Sequence, residues 1–384
     1  MTITISILGS TGSIGLNTLK IIDKKKNKFK VNLLAANSNY SKICYQIKKY
    51  NPKFFFINDM IIFKKLKNKY RKKKVKIINN FNDIKLKKID ITISAIPGLA
   101  GLKSTLFAIK SSKKVLLANK ESVICGWNLI KDHAKKYRTK IVPVDSEHYS
   151  IFKLLENHNL DEIRKIYITA SGGPFLNYKK KQMLKISPNQ ALNHPKWKMG
   201  KKISIDSSTL MNKILELIEA QKLFNIPNNK LDILIHPESL VHAVIMLKNG
   251  LIKFIYHNTS MIIPLANAIF DGKLEINDFL SVNKNKKKIH NLSFDNVNNK
   301  IFPIIKLKNK VNEHPSSSII VNAANEILVD QFLQKKIPFL AISKIIKTIL
   351  NDRNYKKYAI KHPKNINQIN KVDFWARKTT MSKI

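Results

Sequence analysis

Two acidic side chains follow a β-rich run near the middle of the chain. The run covers residues 140–144, and Asp145, Ser146 and Glu147 come directly after it. In an extended backbone, residues i and i+2 share a face, so the two carboxylates are predicted to converge. Carboxylate oxygens are the ligands that Mg²⁺ and Mn²⁺ prefer. The pair therefore indicates a divalent-metal site, although an exposed acidic turn explains two carboxylates equally well when no third ligand is present.

A third carboxylate lies among several polar groups in residues 203–216. This segment is predicted to pass from a strand into a capped helix. Asn212, Lys213 and Glu216 then share one helix face, because residues three and four apart are neighbours on a helix. Ser207 lies at the start of the same helix, and such crowding is typical of a phosphate or oxyanion site. A solvated helix face explains Lys213 and Glu216 alone, but it does not explain the crowding.

The segment between these two sites has the composition of a lid. Gly172 and Gly173 can act as a hinge, and Trp197 lies in a polar loop that follows His194. A lid that closes over a substrate excludes water and protects a reactive intermediate. Residues 172–200 are therefore predicted to form a mobile cover, the alternative being that Trp197 packs against its own loop.

The opening of the chain is typical of a dinucleotide site. A β-rich run at residues 2–8 leads into Gly9, Gly12 and Gly15, and a helical pattern follows. The spacing is G-x-x-G-x-x-G rather than G-x-G-x-x-G, but strand, turn and helix come in the order that lets a pyrophosphate meet a helix N-terminus. A plain glycine turn between a strand and a helix is the alternative.

The residues after the second β-rich run indicate which dinucleotide binds. A site that selects NAD places Asp or Glu there to hold the ribose 2′-hydroxyl. Here Asn37, Ser38 and Asn39 are neutral, no acid is present, and the nearest later cation is Lys42. We therefore expect NADPH to be the cofactor.

The elements that must position these groups alternate between β-rich and amphipathic helical patterns. In the first part of the chain the β-rich runs are residues 2–8, 31–36, 53–57, 75–78, 89–95, 114–118 and 140–144. Such alternation predicts a doubly wound, mostly parallel sheet. Further strands are expected at residues 165–170, 202–205, 231–235 and 252–256. Helices are expected at residues 208–224, 318–334 and 341–350.

The predicted fold class is α/β, with four segments along the chain. Residues 1–147 are expected to form a Rossmann-like NADPH-binding domain, and residues 148–272 a central α/β catalytic domain with the lid loop. Residues 273–300 are polar and rich in Asn and Lys, which is typical of a linker. Residues 301–384 are expected to form a C-terminal α-helical domain.

The composition limits the partners that we expect. The formal charge of +45 suggests nucleic-acid binding, but the lysines are scattered and accompany an excess of Asn and Ile, which A/T-rich codons explain. Aromatic residues are not interleaved as a stacking platform, so we expect no specific nucleic-acid partner. The two cysteines fit a reducing compartment, and no apolar run approaches the roughly 18 residues of a membrane span. We therefore expect a cytoplasmic protein without a membrane partner.

These motifs together resemble the 1-deoxy-D-xylulose 5-phosphate reductoisomerases. The matching stretches, in family order, are residues 9–15, 117–122, 143–148, 171–175, 194–200, 203–216, 236–242 and 322–326. The resemblance implies a homodimeric enzyme that uses NADPH and Mg²⁺ or Mn²⁺ to convert the sugar phosphate 1-deoxy-D-xylulose 5-phosphate into 2-C-methyl-D-erythritol 4-phosphate, for isoprenoid precursors. It implies a carbon–carbon rearrangement by retro-aldol and aldol steps, followed by hydride transfer. One departure is Asn37, where the family usually has Gly, and Asn is the residue that best tolerates the positive φ of such a turn.

The resemblance also implies a role for each matching residue. The metal ligands would be Asp145, Glu147 and Glu216. The NADPH-binding residues would be Thr11, Gly12, Ser13, Ile14, Asn37, Ser38, Asn39, Asn119, Glu121 and Gly200. The substrate-binding residues would be Lys120, Ser146, Glu147, Ser171, His194, Ser207, Asn212, Lys213 and Glu216. Lys120 and Glu147 are the candidates for catalytic proton transfer.

Two other functions stay open from the sequence. An NADP-dependent dehydrogenase such as a semialdehyde dehydrogenase has a similar opening turn, but it needs a catalytic cysteine and does not need three carboxylates. A basic nucleic-acid-binding protein needs neither a cofactor nor a metal. A measurement of NADPH oxidation with the sugar phosphate and Mg²⁺ separates all three.

Overall fold

The computed structural model describes residues 2–84, 88–197, 199–280 and 291–384. The chain divides into two compact units. The first comprises Met1–Ser122, Asn128–Tyr149 and Ser260–Lys288, and the second comprises Val123–Trp127, Ser150–Thr259 and Ile289–Ile384. The four-segment division predicted from the sequence stays a prediction. In the part of the chain that the structure describes, no helix is both long and apolar enough to cross a membrane.

The secondary structure alternates as expected at the start of the chain. The strands are β1 (Ile3–Leu8), β2 (Phe29–Ala36), β3 (Phe54–Ile57), β4 (Lys76–Ile78), β5 (Ile89–Ser94), β6 (Ser112–Leu117), β7 (Lys140–Pro143), β8 (Ile163–Ala170), β9 (Leu231–Ile235), β10 (Val241–Leu247), β11 (Ile252–Tyr256) and β12 (Asp295–Asn296). The helices are α1 (Ser13–Lys24), α2 (Tyr40–Tyr50), α3 (Met60–Lys69), α4 (Gly101–Ser111), α5 (Lys120–Tyr137), α6 (Ser146–Leu155), α7 (Lys180–Met183), α8 (Pro188–Leu192), α9 (Lys201–Ser208), α10 (Met211–Phe224), α11 (Ile262–Phe270), α12 (Ser317–Leu333), α13 (Ala341–Leu350), α14 (Tyr355–Ala359) and α15 (Ile366–Met381).

The first unit is built on a parallel sheet of seven strands in the order β4-β3-β2-β1-β5-β6-β7. All seven predicted β-rich runs are strands of this sheet. Parallel strands are covered on both faces, so they appear in a sequence as nearly continuous apolar runs between helices. The central strand β1 illustrates this, since Ile5, Ile7 and Leu8 are fully buried.

The second unit contains a mixed sheet in the order β11-β10-β8-β9-β12. Only β8 and β9 are parallel, and the other neighbours are antiparallel. Strand β10 was not predicted from the sequence. Within the segment predicted to be a linker, residues 273–300, lies β12, which pairs with Leu234 and Ile235 of β9. Residues 281–290 of the linker lie outside the described residues.

The predicted strand at residues 202–205 is wrong, because these residues belong to helix α9. Ile203 and Ile205 alternate with polar residues, which suggested a strand. In the helix they point to different sides, and Ile205 is fully buried whereas Ile203 is 45% exposed. The predicted helix at residues 208–224 begins only at Met211, after Leu210 in the left-handed conformation (φ 64°). The segment therefore passes from helix to helix, not from strand to helix.

Helix α12 is the centre of the helical C-terminal part of the second unit. It packs against α9, α13, α14 and α15, and it is buried on nearly all sides. A helix that is buried on nearly all sides belongs in a core, and its buried polar side chains need hydrogen-bond partners there. The helical patterns predicted at residues 318–334 and 341–350 are confirmed as α12 and α13.

Candidate active site

The turn between β1 and α1 has the backbone that a dinucleotide site needs. Gly9 has a φ of +94°, and a Cβ atom there would lie 2.5 Å from the carbonyl oxygen of Ala95. Gly12 is the N-cap of α1, so no side chain caps the helix, and its first turn contains no acid. The first N–H groups of a helix lack acceptors within the helix and carry partial positive charge. The turn, which includes Thr11, Ser13 and Ile14, therefore fits a pyrophosphate.

The segment between β2 and α2 is neutral, as the sequence indicates. Asn39 caps α2 by accepting a hydrogen bond from the backbone N–H of Lys42 (3.1 Å). The amide of Asn58 donates to Oδ1 of Asn37 (3.0 Å). Asn37 does not adopt a positive φ, so the tolerance of Asn for a left-handed turn is not needed at this position. Ser38 lies between the two asparagines and is exposed.

We expect the protein to prefer NADPH over NADH by at least about tenfold in kcat/KM, because hydrogen bonds to a charged phosphate contribute more than those to a hydroxyl. No carboxylate stands among residues 37–39 to hold a 2′-hydroxyl. Steady-state rates with both cofactors at saturating substrate test this. Equal values for the two cofactors would contradict it.

Two predicted site residues follow neighbouring strands of the parallel sheet. Lys120 begins α5 after β6, and Asp145 follows β7. The carboxyl ends of parallel strands meet at one edge of a sheet, which is where α/β proteins bind ligands. The Lys120 ammonium lies 3.4 Å from Oδ2 of Asp145. The first unit thus brings a candidate proton-transfer group beside a candidate metal ligand.

Asp145 and Glu147 do not lie on an extended strand. Strand β7 ends at Pro143 and α6 begins at Ser146, so Glu147 stands in the first turn of a helix and Asp145 directly precedes it. The Glu147 N–H donates to Oδ1 of Asp145 (3.4 Å), and the Ser146 hydroxyl donates to Oε2 of Glu147 (2.6 Å). Carboxylates are favourable at a helix N-terminus. The two carboxylates were expected to converge because they would share one face of a strand, but a helix turn brings them together instead.

Asn119 and Glu121 flank Lys120 at the start of α5. The Asn119 side chain is buried, accepts from the backbone N–H of Ser122 (2.5 Å), and donates to the carbonyl oxygens of Ile96 and Gly98. Its amide therefore fixes the start of α5. A cofactor could therefore contact only those atoms of Asn119 that these hydrogen bonds leave accessible.

In the second unit, His194 and Ser171 are in direct contact. The backbone N–H groups of Lys196 and Trp197 donate to Nδ1 of His194 (3.2 and 3.0 Å). Its proton therefore belongs on Nε2, which donates to the Ser171 hydroxyl at 3.1 Å. Burial, together with the nearby Lys213 ammonium, lowers the pKa of His194 to about 4. His194 is accordingly a neutral hydrogen-bond donor near neutral pH.

The turn after Ser171 packs against the end of α9, which carries Ser207. Gly173 has a φ of +63°, and a Cβ atom there would lie 3.1 Å from the carbonyl oxygen of Ser207. A larger residue would strain the turn and push this contact apart. The second unit thus holds Ser171 and Ser207, two of the predicted substrate-binding residues, on segments that touch. Gly200 is the N-cap of the same helix α9.

The predicted polar face of α10 is present. The Asn212 amide donates to Oε1 of Glu216, and the Lys213 ammonium donates to Oε2 at 2.7 Å. Glu216 is only 1% exposed. A buried carboxylate is costly unless it is paired and hydrogen-bonded, and both of its oxygens are engaged here. The spacing of three and four residues explains the contact.

The sequence missed a buried ionic cluster beside this site. Asp206, which directly precedes Ser207, is 1% exposed. Its Oδ1 accepts from the amide of Asn325 on α12 (2.7 Å), and its Oδ2 accepts from the Lys202 ammonium (2.9 Å). Helix α12 therefore holds the end of α9 in place. Asn325 falls in a stretch that resembles the family, but no local pattern pairs residues 119 positions apart.

Trp197 packs edge-on against His242, with ring centroids 6.2 Å apart. If residues 172–200 form a lid, substrate and cofactor should change this packing and therefore the fluorescence of Trp197. A variant with Trp127→Phe and Trp375→Phe isolates the signal. An unchanged spectrum at saturating ligands, with activity retained, would contradict the lid.

Three family models match this chain. "1-deoxy-D-xylulose 5-phosphate reductoisomerase" matches residues 5–126, "1-deoxy-D-xylulose 5-phosphate reductoisomerase C-terminal domain" matches residues 141–224, and "DXP reductoisomerase C-terminal domain" matches residues 257–379. A 1-deoxy-D-xylulose 5-phosphate reductoisomerase of Pelagibacter ubique is 46% identical over 378 residues, which cover 95% of each chain.

The chain belongs to the 1-deoxy-D-xylulose 5-phosphate reductoisomerase family. It is therefore an enzyme, as the motifs indicated. A reductoisomerase of Thermodesulfovibrio yellowstonii is 40% identical and covers 98% of both chains. Both matches extend over nearly the whole length of each reductoisomerase.

Solved reductoisomerase structures share the fold. The enzyme from Zymomonas mobilis in complex with NADPH has a TM-score of 0.88 and 34% identity, and covers 100% of this chain and 99% of its own. A reductoisomerase in complex with NADPH, fosmidomycin and magnesium has a TM-score of 0.90 and 31% identity, and covers 99% and 98% of the two chains. The predicted α/β class, with a Rossmann-like sheet and a helical C-terminal part, is confirmed.

Proposed function

We propose that this chain converts 1-deoxy-D-xylulose 5-phosphate into 2-C-methyl-D-erythritol 4-phosphate with NADPH and Mg²⁺ or Mn²⁺. The observation that carries the proposal is 46% identity to a reductoisomerase over 95% of both chains. The glycine turn, the acidic helix start and the polar face of α10 support it, because each fits one part of this reaction.

We propose Asp145, Glu147 and Glu216 as the metal ligands. All three offer carboxylate oxygens, the donor type that Mg²⁺ and Mn²⁺ prefer over His or Cys. A bound cation supplies Lewis-acid polarisation of substrate oxygens and a template for their orientation. The Lys120 ammonium beside Asp145 offsets part of the negative charge. Lys120 and Glu147 are the proposed proton-transfer groups, since Lys120 lies beside Asp145 and Glu147 is the carboxylate next to Asp145 at the start of α6.

We propose that the β1–α1 turn holds the pyrophosphate of NADPH, with the backbone N–H groups of Thr11, Ser13 and Ile14 as donors. Gly12, whose N–H donates to the carbonyl oxygen of Gly9 (3.1 Å), would let the ligand approach the backbone closely. Asn37, Ser38 and Asn39 would face the ribose 2′-phosphate, and Asn119, Glu121 and Gly200 would contact the cofactor nearer its reactive end. Bound NADPH supplies the hydride.

We propose that Ser171, Ser207, Asn212 and Lys213 bind the substrate phosphate. The hydroxyl and amide groups donate without adding negative charge, and Lys213 adds the cation. His194, whose Nε2 donates to the Ser171 hydroxyl, would contact the substrate beside them. An anchored phosphate orients the distant reacting carbons, so its binding energy is spent on the rearrangement. Ser146 would contact the substrate beside the carboxylates.

The test is the disappearance of NADPH absorbance when the purified protein, Mg²⁺ and 1-deoxy-D-xylulose 5-phosphate are mixed. The product is identified by NMR, because oxidation alone does not report the rearrangement. Reactions lacking metal or sugar phosphate are the controls. A protein that binds both ligands but forms no branched polyol phosphate would overturn the proposal.

We also propose a homodimer that forms through β11. This strand is the edge of the second unit's sheet, and Leu251, Ile252, Phe254 and Tyr256 are between 39% and 57% exposed. An exposed apolar edge strand invites pairing with another chain, and natural proteins cover such edges. A second copy can pair with it antiparallel about a twofold axis, the commonest symmetry of dimers.

Phe254→Lys is expected to shift the protein from dimer towards monomer, because a buried interface ring would be replaced by a charge. Sedimentation velocity over a range of concentrations measures this. Ile61→Lys on α3 is the matched control, since Ile61 is 78% exposed but lies far along the chain in the other unit. A Phe254→Lys protein with the natural chain's oligomeric state would sink the β11 dimer.

The cytoplasmic location also remains a proposal. The chain has only two cysteines, too few for a disulfide framework, which suits a reducing compartment.

A further inference from the structure

Gln46 makes two hydrogen bonds to one residue of the cofactor turn. The Ser10 hydroxyl donates to Oε1 of Gln46 (2.7 Å), and Nε2 of Gln46 donates to the carbonyl oxygen of Ser10 (2.9 Å). Both residues are buried, with 1% or less of their surface exposed. A side-chain amide thus grips both the side chain and the backbone of Ser10.

Ser10 stands between Gly9 and Thr11, at the point where the chain leaves β1. The backbone N–H groups of Gly9 and Ser10 both donate to the carbonyl oxygen of Ala35 at the end of β2 (2.9 and 2.8 Å). These two N–H groups are therefore used within the protein. The Gln46 bonds hold the hydroxyl and the carbonyl oxygen of Ser10, so every polar group of Ser10 is hydrogen-bonded within the protein.

Gln46 is out of place in the buried face of α2 unless it serves this contact. The buried residues of that helix are Ile43, Gln46 and Ile47, so two aliphatic side chains flank one amide. An amide in such surroundings is costly unless all its groups are hydrogen-bonded. An aliphatic residue would pack there equally well, but it would leave the Ser10 hydroxyl and carbonyl unsatisfied.

We infer that Gln46 is a positioning residue for the cofactor: it does not touch NADPH but sets the Ser10 turn so that the following N–H groups meet the pyrophosphate. The inference rests on the proposed NADPH-binding function. Both NADPH and NADH carry the pyrophosphate, so both depend on Gln46 alike. Recognition of the 2′-phosphate is independent of it, because Asn37 and Asn39 have their own hydrogen bonds to Asn58 and Lys42.

The experiment measures direct cofactor binding rather than turnover. The Kd values of NADPH and NADH are determined by nucleotide fluorescence, without substrate or metal, for Gln46→Leu, Gln46→Glu and Ser10→Ala. Gln46→Leu should raise both Kd values by at least about tenfold, because both buried hydrogen bonds to Ser10 are lost. The NADPH/NADH ratio and the KM of the sugar phosphate at saturating NADPH should not change.

Gln46→Glu supplies a readout that packing alone does not predict. A carboxylate retains the acceptor for the Ser10 hydroxyl but loses the donor to its carbonyl oxygen. Burial raises the pKa of a carboxyl group, and the protonated acid donates again. Cofactor affinity should therefore recover as the pH falls from about 8 to about 5.5, relative to the natural chain at each pH. No such recovery is expected for Gln46→Leu.

Gln331→Leu is the matched control, since Gln331 is a buried glutamine on α12 in the other unit. It should leave both Kd values unchanged whatever it does to Tm. A folded Gln46→Leu protein with unchanged Kd values overturns the inference, as does a rise confined to NADPH. If Gln46→Leu does not fold, the inference is decided by the cofactor Kd values of Ser10→Ala and by the pH dependence of the cofactor Kd values of Gln46→Glu. A natural chain that binds no NADPH would instead refute the proposed function.

Discussion

Replacing Glu216 with Gln is expected to lower kcat by at least about a hundredfold and to raise the Mg²⁺ concentration needed for half-maximal activity, because an anionic ligand to the cation is lost. Gln keeps the size of the side chain and an oxygen that can still accept the Lys213 hydrogen bond. NADPH affinity should be nearly unchanged, since the glycine turn belongs to the other unit. Activity against Mg²⁺ concentration, with NADPH binding beside it, measures both.

Glu326→Gln is the control for this prediction. Glu326 lies on α12 in the same unit as Glu216, and its carboxylate pairs with the Arg377 guanidinium. It is not one of the proposed ligands, so its replacement should leave the Mg²⁺ dependence in place. A Glu216→Gln protein that keeps the activity and the Mg²⁺ dependence of the natural chain would show that Glu216 is not a ligand.

Asn325→Leu is expected to destabilise the protein by about 3 kcal/mol, because it leaves one oxygen of the buried Asp206 carboxylate unsatisfied. The KM of the sugar phosphate should also rise, by roughly tenfold, an estimate of one lost charged hydrogen bond. The reason is that Asp206 fixes the end of α9, where Ser207 lies. Urea unfolding and steady-state kinetics measure the two effects.

The control for Asn325→Leu is an exposed pair at the end of the same helix. The Gln334 amide donates to Asp330 at the surface (2.6 Å), and exposed pairs contribute about 1 kcal/mol or less. Gln334→Leu should therefore leave stability and KM nearly unchanged. An Asn325→Leu protein that is equally stable, with an unaltered KM, would show that α12 does not position α9.

The parallel sheet and the cofactor turn could be predicted because their signals are local. Buried parallel strands are short apolar runs, and seven of them alternate with amphipathic stretches up to residue 143. Glycines at positions 9, 12 and 15 mark this turn, and a Cβ atom at Gly9 or Gly15 would lie 2.5 or 2.3 Å from a backbone oxygen. The polar face of α10 follows from helical spacing in the same way, since Asn212, Lys213 and Glu216 stand three and four residues apart.

Local patterns failed where two kinds of element fit the same residues. Residues 202–205 alternate between polar and apolar side chains as a strand would. They nevertheless lie in helix α9, because Ile205 is buried in that conformation. Asp145 and Glu147 were predicted to lie on an extended strand, but β7 ends at Pro143 and α6 begins at Ser146. A short segment takes the conformation in which its apolar residues are buried in the core. The sequence of the segment does not specify where that core lies.

By itself the sequence determined the family, the Rossmann-like sheet, the cofactor turn and the residue types of the site, since each depends on spacing along the chain. Only the tertiary structure decided which distant groups hold those residues in place. Gln46 grips Ser10 across 36 positions, and Asn325 reaches Asp206 across 119. The physical reason is that a buried polar group must find a partner wherever packing brings one within hydrogen-bonding distance, and no periodicity of the chain records which residue that will be.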